Sequence, residues 1–325
     1  MENFRQKNGT TVNYLIFVGF ENLQELQLLL FPLLLGFYGV TMVGNALILI
    51  AVSVDKRLHT PMYFFLGNLS FLEIWYTSNI TPRMLMDLLR EDKNISLAGC
   101  IIQLYIFCAL GTVECFLLLL MSYDRYLAIC NPLHYAQLMN WSHCLKLTVG
   151  TWLWGFLSAA GLNFIVTIPL TLCGPNLIDH YFCDLTPLLK LSCSDTYPAE
   201  VTIFVACFAV SLVPFLFTII SYVNIILMVV KSPSSCRKSK AFSTCSSHLI
   251  VVTTFYGTLG TTYAVSIGMQ SVQLNKTLSL LYIVITPMLN PIIYSLRNKE
   301  VKEALSKLLG KVSTLPIWAK ASHKH

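Results

Sequence analysis

The chain has 325 residues, of which 55% are hydrophobic and only 12% are charged, and it carries a net charge of +6. An average soluble domain has about 25% charged residues, so this chain has roughly half the charge needed to cover a water-facing surface. That shortage excludes a soluble enzyme or soluble binding domain and points to a surface that faces lipid.

The first 25 residues are polar and hold no apolar signal-peptide core. They include the glycosylation acceptor Asn8-Gly9-Thr10, which fits an exterior amino terminus. A run without charge then extends from about Leu26 to Val54 and is expected to act as an uncleaved signal and first membrane helix. The second span runs from about Leu58 to Pro82 and is interrupted by Glu73. The third, about Leu97 to Tyr123, contains Glu114. The fourth covers about Leu147 to Leu172, the fifth Val201 to Val230 and the sixth Leu249 to Ile267. The seventh, about Leu278 to Leu296, carries Pro287 and Pro291, which membrane helices tolerate because neighbours re-satisfy the freed carbonyls. Beyond it, Val301, Ala304, Leu305, Leu308 and Leu309 draw one apolar stripe on a helix, with Lys302, Glu303 and Lys307 opposite. Such a helix lies in the membrane interface.

The expected fold is therefore an all-α membrane protein, a seven-transmembrane helix bundle with a short amphipathic eighth helix. Residues 1–25 form an extracellular tail and 26–296 the bundle. Residues 297–309 form the amphipathic helix and 310–325 a disordered cytoplasmic tail.

Lys and Arg bias sets the orientation. With the amino terminus outside, 15 of the 22 Lys and Arg residues fall on the cytoplasmic side, against 4 of the 16 Asp and Glu residues. The basic balance thus reflects topology and attraction to anionic headgroups, and it gives no support for nucleic-acid binding. Of 11 cysteines, Cys100, Cys173, Cys183 and Cys193 lie on the predicted outside, where disulfides persist. Four cysteines permit three connectivities.

Ionisable groups in lipid are costly and mark function. Glu114 lies eleven residues before Arg125, about 16 Å along the axis and on the same helix face, and Phe107 shares that stripe. Glu73 sits at a comparable depth on the second helix. Two carboxylates there can share a proton or hold a cation such as Na⁺; no other cofactor is expected.

Several stretches, in order and on the expected helices, carry a family resemblance. Met121-Ser122-Tyr123-Asp124-Arg125-Tyr126-Leu127-Ala128-Ile129-Cys130, running into Asn131-Pro132-Leu133-His134-Tyr135, resembles the olfactory-receptor form of the Asp-Arg-Tyr motif. The segment Leu58-His59-Thr60-Pro61-Met62-Tyr63 resembles that family's first inner loop. Lys240-Ala241-Phe242-Ser243-Thr244-Cys245 resembles its sixth-helix entry, and Pro287-Met288-Leu289-Asn290-Pro291-Ile292-Ile293-Tyr294 its seventh-helix end. Gly44-Asn45, Ser221-Tyr222 and the four outer cysteines fit as well, so the similarity covers about residues 20–309. Glu73 departs from the pattern, which more often has aspartate there.

The resemblance implies a class A (rhodopsin-like) G-protein-coupled receptor of the plasma membrane, with no enzymatic activity. Its partners would be a small volatile odorant and a stimulatory olfactory-type heterotrimeric G protein acting through cAMP. Asp124 would hold Arg125 at rest. On activation Arg125, next to Tyr126, would swing toward Tyr222, with Asn290, Pro291 and Tyr294 relaying the change. Cys100 would bond Cys183, and Cys173 would bond Cys193.

Helical phase places the ligand pocket in the outer half of the bundle. Its candidates are Phe107, Cys108, Gly111 and Thr112 on the third helix and Ala206, Cys207 and Val210 on the fifth. Tyr256, Leu259 and Tyr263 come from the sixth helix and Ile283 from the seventh. This set holds no full charge, so it suits a small, neutral, mostly apolar ligand. An amine receptor would want a carboxylate where Phe107 and Cys108 stand, whereas a lipid or peptide receptor is the remaining alternative. A transporter would show matching repeats, and an enzyme would need more than the adjacent Ser247-His248, whose side chains point about 100° apart on a helix.

Overall fold

The computed structural model describes residues 13–20, 26–90, 92–173, 175–231, 235–268 and 272–313. Within these, 235–244, 263–268, 272–273, 275, 309 and 311–313 are described by backbone alone. Asn8 and the segment 314–325 lie outside the described residues.

Seven long helices form the body: α1 (Gln27–Val54), α2 (Pro61–Leu89), α3 (Leu97–Cys130), α4 (Trp141–Thr167), α5 (Tyr197–Lys231), α6 (Ser235–Gly268) and α7. The last is built from Val272–Leu280, a π turn at Leu281–Ile285 and Thr286–Arg297. Pro287 has no N–H to give the carbonyl of Ile283, one turn back, and the backbone widens to π geometry just before it. An eighth helix, α8 (Lys299–Ser313), follows. It runs past residue 309, so the helix continues into residues expected to be disordered tail.

Five of these segments, α1, α3, α4, α5 and Lys276–Arg297 of α7, are long and apolar enough to cross a membrane on composition alone. The polar residues that set α2 apart point inward: Ser70, Glu73, Thr77 and Thr81 are all buried. The outer surface has the opposite character. Leu28, Val43, Leu153, Leu157, Phe164, Phe204, Phe208 and Phe217 are all exposed, an apolar area that water would not tolerate but hydrocarbon does.

Helix α3 is central and packs on α2, α4, α5 and α6, while α1 closes against α2, α7 and α8. Two glycines let neighbouring helices come close. A Cβ on Gly155 of α4 would stand 2.9 Å from the Ala109 carbonyl oxygen and run into Val113 of α3. One on Gly44 of α1 would stand 3.0 Å from the Pro291 ring of α7.

One end of the bundle carries a small sheet. Strand β1 (Tyr14–Phe17) lies between β2 (Asn94–Ser96), paired antiparallel with Tyr14 opposite Ser96, and β3 (Leu177–Ile178), paired parallel with Phe17 opposite Ile178. Leu15 and Phe17 are buried against Cys100, Leu104, Val166 and Cys183. Part of the segment expected to be a plain tail is thus a structural strand.

Candidate functional site

The end that carries the sheet is stapled. Cys100, in the first turn of α3, is bonded to Cys183, with 5.4 Å between their Cα atoms. Cys173 is bonded to Cys193 within the same connection, at 5.7 Å. Gln103, one turn below Cys100, accepts from the backbone N–H of Cys183 at 3.0 Å and exchanges two 3.0 Å hydrogen bonds with Asn79 of α2. The buried ammonium of Lys276 forms an ion pair with Asp179, joining α7 to this connection. His180, next in the chain to Asp179, is buried edge-on against Phe182 at 4.5 Å, and burial holds its imidazole below the ordinary histidine value.

Beneath this roof lies a cavity of 150 Å³ between α3, α4, α5, α6 and α7. From α3 it takes Phe107, Cys108, Gly111 and Thr112, and from α5 Ala206, Cys207 and Val210, with Leu259 from α6. The Phe182 ring packs on Phe107 at 5.3 Å, so the connection rests directly on the cavity wall.

Two expected pocket residues fall elsewhere. Ile283 is buried in the main core, and its neighbour Tyr282 takes the lining position, because the π turn rotates the backbone from the phase that an unbroken α-helix would keep. Tyr256 packs on Phe215 at 4.7 Å and faces an adjoining groove between α5 and α6. The side chain of Tyr263 lies outside the described residues.

Helical phase also missed Cys115, Ser211 and the whole face of α4: Ser158, Ala159 and Leu162. A signal for that face was present, since Gly155, Ser158, Ala159 and Leu162 follow the spacing 0, 3, 4, 7. Small residues there let α4 approach α3 closely enough to become a wall.

Among the described residues, the cavity lining carries no Asp, Glu, Lys or Arg. Its aliphatic hydroxyls are turned on their own helices: Thr112 donates to the Cys108 carbonyl at 2.9 Å, Ser158 to Gly155 at 3.2 Å and Ser211 to Cys207 at 2.6 Å. Each therefore offers the cavity an acceptor lone pair rather than a proton.

Deeper in the bundle, Glu73 and Glu114 are both buried. The side-chain amide of Asn290 donates to Glu73 Oε1, while Glu73 Oε2 and Asn290 Oδ1 have no partner. Asn45 of α1 donates to the Pro287 carbonyl at 3.4 Å.

At the opposite end Arg125 is paired with Asp124, its Nε 3.0 Å from Oδ2. The second carboxylate oxygen of Asp124 accepts from the Tyr135 hydroxyl at 2.8 Å. Tyr135 sits on the short helix Pro132–Leu138, and sequence reading gave it no role. Tyr222 is hydrogen-bonded to the Nδ1 of His248 on α6 rather than to Arg125. Tyr126 packs beside it, in a cluster with Ile225, Val229 and Cys245. Pro291 is buried against Gly44, and Tyr294 is buried with its hydroxyl unpartnered. Nearby, the Tyr63 hydroxyl lies 3.0 Å from Asn298 Oδ1 and 2.8 Å from Glu300 Oε2.

Comparison with known proteins agrees with this arrangement. Residues 34–312 match the family model described as olfactory receptor. The chain is similar to human olfactory receptor 11L1, with 46% identity over 98% of each chain. It is 48% identical to human olfactory receptor 6Q1, over 96% of this chain and 98% of that one. Human olfactory receptor 10A7 is 47% identical over 93% and 96% of the two chains.

Proposed function

Because the chain belongs to the olfactory receptor family, G-protein-coupled odorant receptors of the plasma membrane, we propose that its odorant is a small, neutral, mostly apolar volatile held in the cavity between α3, α4 and α5. The observation that carries this reading is the uncharged lining of a 150 Å³ space. A cavity of about that size takes a benzene-sized guest in a soluble protein. A charged ligand would have to shed its hydration there without a counter-ion. A neutral one gains about 25 cal/mol per Å² of apolar surface buried, less the cost of lost motion, which corresponds to micromolar affinity.

The three hydroxyls that donate to their own helices narrow the class further. They accept from a ligand, so an alcohol or phenol is favoured over a ketone or ester of the same carbon skeleton, by about 1 kcal/mol for the one hydrogen bond. The test is a cAMP-reporter screen of matched alcohols and ketones in cells expressing the receptor. Gly111→Leu, which fills the cavity, should abolish the responses at equal surface level. A best agonist that is a charged amine or a peptide would overturn the reading.

In this reading the stapled end with the amino terminus faces outward and the Arg125 end faces the cytoplasm, where a stimulatory heterotrimeric G protein docks. The Lys and Arg bias supports that orientation. Arg125, released from Asp124, reaches the G protein once α6 moves and the Tyr222–His248 bond opens. Asn290, Pro291 and Tyr294 of α7 transmit the change.

Glu73 and Glu114 hold a Na⁺ or share a proton between them. The orphaned oxygens of Glu73 and Asn290 suit a hard cation, which prefers oxygen donors and would neutralise the buried carboxylates. Basal signalling would then fall as Na⁺ is raised, and Glu73→Gln would remove that dependence; equal Na⁺ response in the variant refutes the site.

A further inference from the structure

The roof and the flank of the cavity differ in what they present to an arriving ligand. The roof is the sheet, the Cys100–Cys183 bond and Phe182, seated on Phe107. The flank, between α5 and α6, holds a groove of 430 Å³. Cys207, Ser211 and Leu259 line both the groove and the cavity, so a partition one side chain thick separates them. On the groove's far side Phe204 and Phe208 are 55% and 54% exposed, their rings stacked at 6.0 Å, on the surface that the bilayer covers. Gly260, opposite them on α6, would have nothing within 4 Å of a Cβ.

Partition adds a quantitative reason. Each buried CH₂ favours hydrocarbon over water by about 0.8 kcal/mol, so a six-carbon ligand is enriched in the bilayer by more than about a thousandfold. A mouth that opens to lipid meets far more ligand than one that opens to water.

We infer that the α5–α6 groove is a lateral portal, through which a small apolar ligand dissolved in the bilayer passes Phe204, Phe208 and Gly260 to enter the cavity. The inference rests on the cavity being the ligand site, as proposed above. Leu259 and the side chains of Cys207 and Ser211 are the partition that moves aside.

The test uses the full-length receptor in phosphatidylcholine vesicles, with phenyl azide as a small, neutral, apolar single-ring probe that bonds to nearby side chains when illuminated. The probe is mixed rapidly, flashed at increasing delays, and the labelled peptides are quantified by mass spectrometry. The peptide holding Phe208 should be labelled before the one holding Thr112. Gly260→Phe, whose ring enters the open groove, should slow Thr112-peptide labelling by about tenfold while leaving its final level unchanged. Phe204→Ala should speed it. Gly150→Phe, at another open glycine on an exposed face of α4, should follow the wild-type course. Wild-type kinetics in Gly260→Phe overturn the portal and leave the cavity reading intact. A Thr112 peptide never labelled in any protein overturns both, and leaves the groove as a seat for an acyl chain only. Should Gly260→Phe also lower the final level, the Phe204→Ala rate decides: faster entry upholds the portal and an unchanged rate overturns it.

Discussion

The two ends of this bundle are held by different kinds of bond. At the sheet end, two disulfides, a three-stranded sheet and the Gln103–Asn79 exchange fix α2, α3 and the long connection to one another. At the other end the fastenings are an ion pair within α3, Arg125 to Asp124, and single hydrogen bonds between elements: Tyr135 to Asp124, and Tyr222 of α5 to His248 of α6. A covalent staple does not open on the timescale of a ligand's visit, whereas a hydrogen bond of about 1 kcal/mol does. Movement started in the cavity is therefore channelled toward the end that carries Arg125.

Cutting the staple is the most severe way to break this contrast. Cys183→Ser should remove about 2–5 kcal/mol and leave little receptor at the cell surface, as read by antibody staining of unpermeabilised cells. Wild-type surface levels would mean that the sheet and Lys276–Asp179 hold that end without the bond. Next in size, Arg125→Ala should abolish agonist-driven cAMP while surface staining stays close to wild type. Signalling preserved at equal surface level would separate Arg125 from coupling.

A smaller change sharpens the comparison at the mobile end. Tyr135→Phe deletes one hydrogen bond to Asp124, about 1 kcal/mol, and should raise agonist-free cAMP about fivefold. The same loss at the stapled end, in Asn79→Ala, should leave basal cAMP unchanged; equal effects would erase the distinction. The smallest effect is a pH dependence of the roof. Burial holds His180 below its ordinary value, with Lys276 pushing the same way and Asp184 and Asp179 opposing. The unfolded ring takes up its proton first as pH falls. Stability of the roof is thus full above about pH 6.5, declines below it, and levels off once the folded value is passed. Amide protection across 177–184, measured relative to the intrinsic exchange rate at each pH, should fall between about pH 7.5 and 5.5, and a His180→Gln variant should show no such change.

The helices and both ends of α3 were legible in the sequence because long apolar runs and the Asp124-Arg125-Tyr126 stretch are local signals. Strand β1 was not, because four residues carry no readable period and their pairing partners lie far along the chain, at 94–96 and 177–178. Tyr282 was missed for another reason. Phase counting assumes an unbroken α-helix, and the π turn before Pro287 breaks the count within a few residues of the cavity. The part played by α4 was hidden because small residues are counted for what they contribute to burial. Gly155 acts through what it leaves out.

The notch at Gly44 has a consequence for how the molecule is made. Pro291 fits against Gly44, and Asn45 reaches the Pro287 carbonyl, so α1, made early, finds one of its partners on α7, made late. Until α7 leaves the ribosome, α1 sits in the membrane with an open seam and with Asn45 lacking its Pro287 partner. A chain cut short before Pro291 would keep its roof, its cavity and its Asp124-Arg125 pair, yet would expose a polar, unsealed flank to lipid and to the cell's quality control. Closure of that flank is in this way conditional on α7 arriving.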